Sequence, residues 1–239
     1  MAKKRTSHRR VTRHTALSLF EMNMESVHDT VKLYDGIKTL GVSLDYDWLL
    51  RGAVVFLVSA LDAYFHDRIK YGVSRLSGDS MPEALRKHRI TIGDLADWQA
   101  SRRKGNVIRN WIADHLSTIP LQSPDRIAEY MKYVGIDGFW NQVEPDHGKK
   151  KKLLKKLGLI FRRRNQIAHE GDRLAGRKSG KKLRHIDEIE VKEWSAWIDK
   201  LIHDIDSMSD RLCNKRTPYG SDRKTVASLD DLTPTETDV

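Results

Sequence analysis

An apolar segment in the first third of the chain restricts the fold more than any other feature. The pattern from about Asp47 to Leu76 predicts one long helix, which contains five consecutive apolar residues at Val54–Val58. Because successive helical residues are rotated by about 100°, these five side chains surround the helix axis. A helix that is apolar on every side must lie at the centre of a bundle or be covered by a second subunit.

The rest of the sequence continues the helical pattern, without a strand pattern of useful length and without an internal repeat. Long helices are also predicted at about 16–40, 148–170 and 187–212, and Gly171 is predicted as the left-handed residue that ends the second of these three. Short helical patterns occur at Pro82–His88, Ile92–Ser101, Asn106–Leu116 and Pro124–Val134. The predicted fold class is therefore all-α, a bundle with long core helices.

One helical domain at 15–212 accounts for this organisation. Residues 77–144 form an irregular short-helix insertion within it, and a basic arm at 1–14 and a tail at 213–239 are predicted to be disordered. The insertion contains three tryptophans, Trp98, Trp111 and Trp140. Large aromatic residues in such a region are more often part of a packed core than a platform for stacked bases, so a core role is predicted.

The net charge of the chain indicates which classes of partner it could bind. The 239 residues have a formal net charge of +10 and a pI near 9.6, which favours association with anionic surfaces. Nucleic acid is the first expectation and a membrane surface the second. The apolar stretch from Gly52 to Leu61 is too short to cross a bilayer, so the chain is not expected to enter a membrane.

Cysteine and histidine usage argues against several kinds of site. The single cysteine, Cys213, excludes an intrachain disulfide and Cys-rich zinc sites, which fits a reducing compartment. The ten histidines include no His-Glu-x-x-His pair, so no metal and no other cofactor is expected. The basic first fourteen residues are not followed by an apolar signal segment. A cytoplasmic location is therefore expected.

The third long helix along the chain is strongly basic. Nine Lys or Arg residues lie between Lys149 and Arg164, and no acid occurs between Gly148 and Ala168. A solvated face is the usual role of a single lysine, but the density of this cluster favours contact with a polyanion. The candidate RNA-contacting residues are Lys149, Lys150, Lys151, Lys152, Lys155, Lys156, Arg162, Arg163 and Arg173.

Arg164 lies on the apolar stripe of the same helix, near the middle of that stripe. An arginine on a buried face needs either an internal carboxylate or an anionic ligand. Asp62, which interrupts the apolar helix, is the internal candidate. Spacing alone leaves two interpretations open: a structural Asp62–Arg164 bridge beside a His169 without a role, or a functional site.

Three features support the functional interpretation. Asn165 precedes His169 by four residues, so its amide can hold the imidazole and fix its tautomer. His169 lies in the last helical turn, where the helix dipole favours the protonated ring. Although Arg164 and His169 are separated by about 140° around the axis, a long arginine can reach a shared cleft. One phosphate could then contact both side chains.

The segment Arg164-Asn165-Gln166-Ile167-Ala168-His169 resembles the Arg-x4–6-His signature of the HEPN superfamily, whose helical domains are often metal-independent RNases. The earlier segment LLRGAVVFLVSALDAYFHDRI resembles the apolar, acid-bearing helix of its defence-associated RiboL-PSP branch. The resemblance covers about 15–212 and implies an endoribonuclease. Arg164 would bind the scissile phosphate, and His169 would exchange protons with the 2′-hydroxyl or the 5′-leaving oxygen. Asn165 and Asp62 would support them.

The resemblance also implies a homodimer, because the cleft in this family forms where two motif helices meet across a two-fold axis. A role as a toxin or anti-phage defence effector follows, with a cognate inhibitor or antitoxin as a further partner. The alternative is a non-catalytic helical module of the same fold that binds RNA or a protein. A DNA-binding regulator is disfavoured because no helix-turn-helix of conventional spacing is present.

Overall fold

The computed structural model of the protein describes residues 15–41, 43–74, 76, 81–174 and 182–214. Within these ranges the fold is all-α, as the sequence predicts, and extended backbone pairs at one isolated bridge between Arg173 and Leu183. The helices are α1 Ala16–Thr39, α2 Asp47–Ser74, α3 Glu83–Arg86, α4 Ile92–Ala100, α5 Lys104–Ser117, α6 Pro124–Met131, α7 Phe139–Val143, α8 His147–Glu170 and α9 Glu188–Asn214. A 3-10 turn at Lys132–Val134 follows α6.

Most predicted bounds agree with the structure to within a few residues, and α7 is the helix that the pattern missed. The predicted basic arm at 1–14 lies outside the described residues, as does 215–239 of the predicted tail. Helix α9 continues to Asn214, two residues beyond the predicted end of the last helix at 212. Phe139–Val143 is too short to produce a helical period, so tertiary packing decides that it is helical.

Helix α2 lies at the centre of the bundle, where it contacts α1, α5, α8 and α9. Leu50, Val54, Leu57 and Ile69 are almost completely buried along its length. In the described part of the chain, Asp47–Val73 is long and apolar enough to cross a membrane, with a mean hydropathy of 1.5 over its best window, but 56% of that window is buried in the protein. A central position in a bundle accounts for that composition.

The insertion packs on the C-terminal half of α2, and its three tryptophans lie in different environments. Trp140 is buried and donates from Nε1 to the Pro124 carbonyl oxygen at 2.7 Å, and half-buried Trp111 packs against the core. Trp98 lies outside the core, because α4 buries none of its residues. The core prediction is therefore confirmed for Trp140, holds in part for Trp111, and is wrong for Trp98.

Gly72 allows the close approach between α2 and the insertion. A Cβ atom at this position would lie 2.4 Å from Val134 Cγ1, in the 3-10 turn after α6. Both backbones are held by their own hydrogen bonds, so an added methyl group would push the insertion away from α2.

We expect Gly72→Ala to lower the free energy of unfolding by about 1–3 kcal/mol, because overpacking here displaces Val134. Gly36→Ala in α1 is the matched control, since a Cβ there meets nothing within 4 Å and alanine favours the helix by up to about 1 kcal/mol. Urea unfolding of both variants measures the difference. A Gly72→Ala protein as stable as the Gly36→Ala protein would contradict this packing.

Candidate functional site

Helix α8 begins and ends with recognisable capping residues. The Asp146 side chain accepts a hydrogen bond from the Lys149 backbone N–H at 2.7 Å. At the other end, Gly171 adopts a left-handed conformation with φ of 60°, and the Asp172 N–H donates to the Gln166 carbonyl at 2.8 Å. The predicted role of Gly171 is confirmed. These caps fix where the last turn, with its motif side chains, projects from the bundle.

Asn165 and His169 both contact the guanidinium group of Arg164. Arg164 Nη1 lies 3.2 Å from Asn165 Oδ1 and 3.3 Å from His169 Nε2. The second contact is a hydrogen bond when Nε2 of the imidazole carries no proton, because an arginine can only donate. The expected Asn165–His169 hydrogen bond is not formed among the described side chains; both residues bind Arg164 instead. The proximity of Arg164 and His169 is thus built into one helix end.

An open groove of about 470 Å³, named here the Arg164 groove, lies at this helix end. Its lining consists of Pro120, Gln122, Arg126, Arg164, Asn165 and His169. The loop between α5 and α6 and the first turn of α6 supply the wall opposite α8. Arg126 is exposed and, like Arg164, has no carboxylate within ion-pair distance among the described residues. Two guanidinium groups without acidic partners make the groove suitable for a phosphate.

The sequence did not identify Arg126 or Gln122. Arg126 follows a Ser123 cap and Pro124 at the start of α6, a pattern that predicts a helix start and no function. The two residues reach the groove because α6 packs on α8, a contact that no local spacing encodes.

The predicted Asp62–Arg164 ion pair is wrong. Asp62 Oδ1 accepts the Leu121 backbone N–H at 2.7 Å, and its Oδ2 accepts Gln122 Nε2 at 3.3 Å. The adjacent His66 contacts the Ile119 carbonyl oxygen at 3.0 Å. Asp62 therefore anchors the loop that forms the opposite wall of the groove, and supports the site through that wall.

Arg164 also differs from its predicted environment. The residue is half-buried at the edge of the apolar stripe, and its Nε is buried without a hydrogen-bond partner in the described part of the chain. Because Nη1 reaches the groove while the stem packs on the bundle, the side chain needs no internal carboxylate. An unpaired buried donor beside an open groove favours an external acceptor.

The arginine of α8 that pairs with an internal carboxylate is the neighbouring Arg163, which is one of the predicted RNA-contacting residues. Arg163 Nη1 binds Asp172 Oδ1, and its Nη2 lies 2.9 Å from Asp172 Oδ2. Asp172 is 1% exposed, and Arg51 of α2 binds the same carboxylate at 2.6 Å. The RNA-contact assignment of Arg163 is therefore wrong, because its guanidinium is enclosed by an internal carboxylate.

The Arg51–Asp172–Arg163 cluster joins three parts of the fold. Beyond Asp172, Arg163 Nη2 donates to the His185 carbonyl at 3.0 Å, and Arg51 Nη2 donates to the Arg184 carbonyl at 2.9 Å. Two arginines, one carboxylate and two carbonyls thus connect α2, the end of α8 and the segment before α9. Since His169 lies three residues before Asp172, this cluster holds the helix end that carries the motif.

The other predicted RNA-contacting cations divide by exposure. Lys150 contacts the Asn141 side chain, and the Lys156 ammonium lies 4.7 Å from the centroid of the Trp197 ring. The remaining candidates are exposed: Lys149, Lys151, Lys152, Lys155, Arg162 and Arg173. The exposed group forms a basic surface that leads along α8 toward the groove. Contact with RNA stays a prediction for it.

Metal ligands are not clustered in the described residues. No group of three or more His, Cys, Asp or Glu side chains there could hold a metal ion. The chemistry open to the groove is proton transfer at His169 and anion binding at Arg164 and Arg126.

Comparison with known proteins identifies a family for this chain. The model of the RiboL-PSP-HEPN family matches residues 25–210, a range that includes the apolar helix, the insertion and the motif helix. No curated protein and no solved structure matches the chain significantly.

Asp172→Asn should remove the charge that neutralises Arg51 and Arg163, while asparagine still tolerates the left-handed backbone at φ of 56°. We expect a loss of about 3 kcal/mol in the free energy of unfolding, because two buried guanidinium groups lose their counterion. Asp29→Asn, which breaks an exposed pair with Lys32, should change stability by less than about 0.5 kcal/mol. Equal thermal denaturation of the two variants would refute the structural role of the cluster.

Proposed function

Because the chain belongs to the RiboL-PSP-HEPN family, whose domains are generally RNases, we propose that it is a metal-independent endoribonuclease. The groove between α8 and α6 is the proposed active site. The observation that carries this proposal is the 3.3 Å contact between Arg164 Nη1 and His169 Nε2 at the edge of an open groove that also contains Arg126.

Arg164 and Arg126 would bind the non-bridging oxygens of the scissile phosphate. A phosphate oxygen can take the place of His169 as the acceptor of the Arg164 Nη1–H, which frees the imidazole for proton transfer. The charge that develops on the phosphate in the transition state would be stabilised by both guanidinium groups. Asn165 would keep the Arg164 guanidinium oriented, since its Oδ1 accepts from the same Nη1.

The neutral His169 ring would accept the proton of the RNA 2′-hydroxyl. The 2′-oxygen then forms a bond to phosphorus, and the bond from phosphorus to the 5′-oxygen breaks. The leaving 5′-oxygen takes a proton from an imidazolium, either the same His169 or that of a second protomer. The products would be a 2′,3′-cyclic phosphate and a 5′-hydroxyl, so DNA, which lacks the nucleophile, would not be cut.

The exposed cations of α8 would guide the RNA strand toward the groove. Lys149, Lys152 and Lys155 share the solvent side of the helix with Arg162, and none has an acidic partner among the described residues. Binding that depends on such phosphate contacts should weaken steeply as salt concentration rises.

Homodimerisation is proposed through the uncovered face of α2. Trp48 is 63% exposed and Phe56 is 47% exposed, and Gly52 and Ser59 lie on the same side of the helix. On α8, which packs against α2, Leu159 is also 47% exposed. An apolar face beside the motif helix fits a second copy of the chain, which would bring two grooves together.

The defence-associated branch to which the family belongs supports a cellular role as a toxin or anti-phage effector acting in the cytoplasm. An RNase that harms its own host needs control, so a cognate inhibitor or antitoxin is the expected partner of such a role.

Arg164→Ala and His169→Ala should each reduce RNA cleavage by about a hundredfold or more, since each removes a group that acts in the transition state. Arg211→Ala and His28→Ala, at exposed positions on α9 and α1, are the matched controls and should cleave as wild type. Gel assays with mapping of RNA ends measure this, and a chelator should leave the wild-type rate unchanged.

The same series separates catalysis from binding alone. If His169→Ala cleaves at the wild-type rate, the proposed proton transfer is wrong. If wild type binds RNA but cleaves none, the chain is a non-catalytic RNA-binding module of this fold.

Phe56→Glu should weaken the dimer, because it places a charge in the centre of the proposed apolar interface, with an effect of about 2 kcal/mol or more. Met22→Glu, which changes an exposed apolar residue of α1, is the control. Analytical ultracentrifugation measures the monomer–dimer equilibrium. A wild-type monomer that cleaves RNA at micromolar concentration would contradict a site shared between protomers.

A further inference from the structure

A second groove lies in the insertion, between residues 81–90, α4 and α5, and is named here the insertion groove. We infer that it is a binding site for a base of the single-stranded RNA whose phosphate occupies the Arg164 groove, so that the insertion selects where the RNA is cut. This inference rests on the proposed function and adds a specificity site to it.

The insertion groove has the lining that a planar, aromatic ligand requires. It has a volume of about 270 Å³ and is lined mostly by apolar and aromatic side chains, which are Met81, Leu85, Ile90, Leu95, Trp98, Val107, Ile108 and Trp111. Arg86, His88 and Asp94 are its polar members. Asp94 Oδ2 accepts hydrogen bonds from both the Thr91 backbone N–H and the Thr91 hydroxyl, so this carboxylate belongs to the cap of α4. Base–aromatic stacking is the usual way in which proteins hold an unpaired base.

Two polar groups in the lining can bind the edge of a base. Trp98 Nε1 is buried and has no hydrogen-bond partner in the described part of the chain, although an indole N–H is a donor that normally finds one. His88 Nδ1 binds the Tyr133 hydroxyl at 2.8 Å, which leaves its Nε2 without a protein partner among the described residues. Burial and the neighbouring His115 lower the pKa of His88, which favours the neutral form of the ring. A neutral ring suits a heterocycle better than a phosphate.

A cavity with several basic residues adjoins the insertion groove and extends to α6, the helix that carries Arg126. A third cavity of about 530 Å³ shares His88 with the insertion groove and is also lined by Lys87, Arg89, Glu129, Lys132 and Tyr133. Its α6 residue, Glu129, lies one helical turn after Arg126, which lines the Arg164 groove. From Arg126 to Tyr133 the chain advances by about 11–12 Å, which a few nucleotides of a single strand can span.

Charge complementarity along this path favours RNA as the occupant. Arg126, Arg89 and Lys132 have no acidic partner among the described residues, and Lys87 forms only an exposed pair with Glu83. Among the described residues, Glu129 is the only acidic residue that lines the third cavity. A path of excess cations that ends in an aromatic groove is the arrangement by which single strands are held, with phosphates on the cations and bases on the rings.

The Trp98→Phe and Trp98→Ala variants test the base site. Phenylalanine keeps an aromatic ring and removes the unpaired N–H, whereas alanine removes both. The probes are fluorescent 2′-O-methyl oligonucleotides of the four single bases, which lack the free 2′-hydroxyl and cannot be cut. Fluorescence anisotropy should show that wild type prefers one base, that Trp98→Phe loses the preference, and that Trp98→Ala binds the preferred probe about tenfold more weakly.

The Arg89→Ala/Lys132→Ala double variant tests the connecting path. It should weaken binding of all four probes by a similar factor of about ten, because phosphate contacts do not depend on the base. A Lys32→Ala/Lys200→Ala variant removes the same charge from α1 and α9, away from the three cavities, and should bind as wild type. Thermal denaturation verifies that every variant is folded.

The outcomes separate this inference from the proposed function. The base site is refuted if wild type has no base preference. It is also refuted if the Trp98 variants and the Arg89/Lys132 variant keep wild-type binding and cut RNA at wild-type positions. In either case, loss of cleavage in Arg164→Ala would still support the active site. If wild type cuts no RNA but Trp98→Phe abolishes a measured base preference, the base site stands and catalysis is refuted.

Discussion

The carboxylate of Asp172, held between Arg51 and Arg163, is the interaction on which the candidate site depends. It is almost completely buried, and it lies just beyond the left-handed Gly171 that ends α8. Charged groups in a low-dielectric interior are stable only when they are paired, so both guanidinium groups must stay bound to this carboxylate and to their carbonyl acceptors. The cluster therefore fixes the position of the last turn of α8 against α2, and with it the direction in which Arg164 and His169 point.

The two walls of the Arg164 groove are fixed by separate interactions. The α8 wall is held by the Asp172 cluster, and the opposite wall is held by Asp62, which binds the Leu121 N–H and the Gln122 amide. Because Arg51 and Asp62 both belong to α2, the central helix sets the width of the groove. An apolar helix thus serves a polar site: its buried residues form the core, while its few polar side chains position the two surfaces between which a phosphate would bind.

Much of the fold could be predicted from the sequence, and the assignment of its charged residues was less successful. Helical periodicity located the long helices, and the Arg164–His169 spacing with the apolar helix identified the RiboL-PSP-HEPN family that the comparison confirms. The error concerned adjacent arginines. A helical projection placed Arg164 in the apolar stripe, yet Arg163 is the buried partner of a carboxylate, because a long side chain can reach a partner well away from its own helical face.

The sequence by itself determined what depends on neighbours along the chain. Helical period, the glycine after α8 and the five-residue step that lets Arg164 meet His169 are all local, so spacing and backbone preference specify them. Only the tertiary structure decided the partners of Asp62 and Asp172 and the presence of Arg126 in the groove. Arg51 and Asp172 are 121 residues apart, and such pairs form only after packing angles between helices have brought them together.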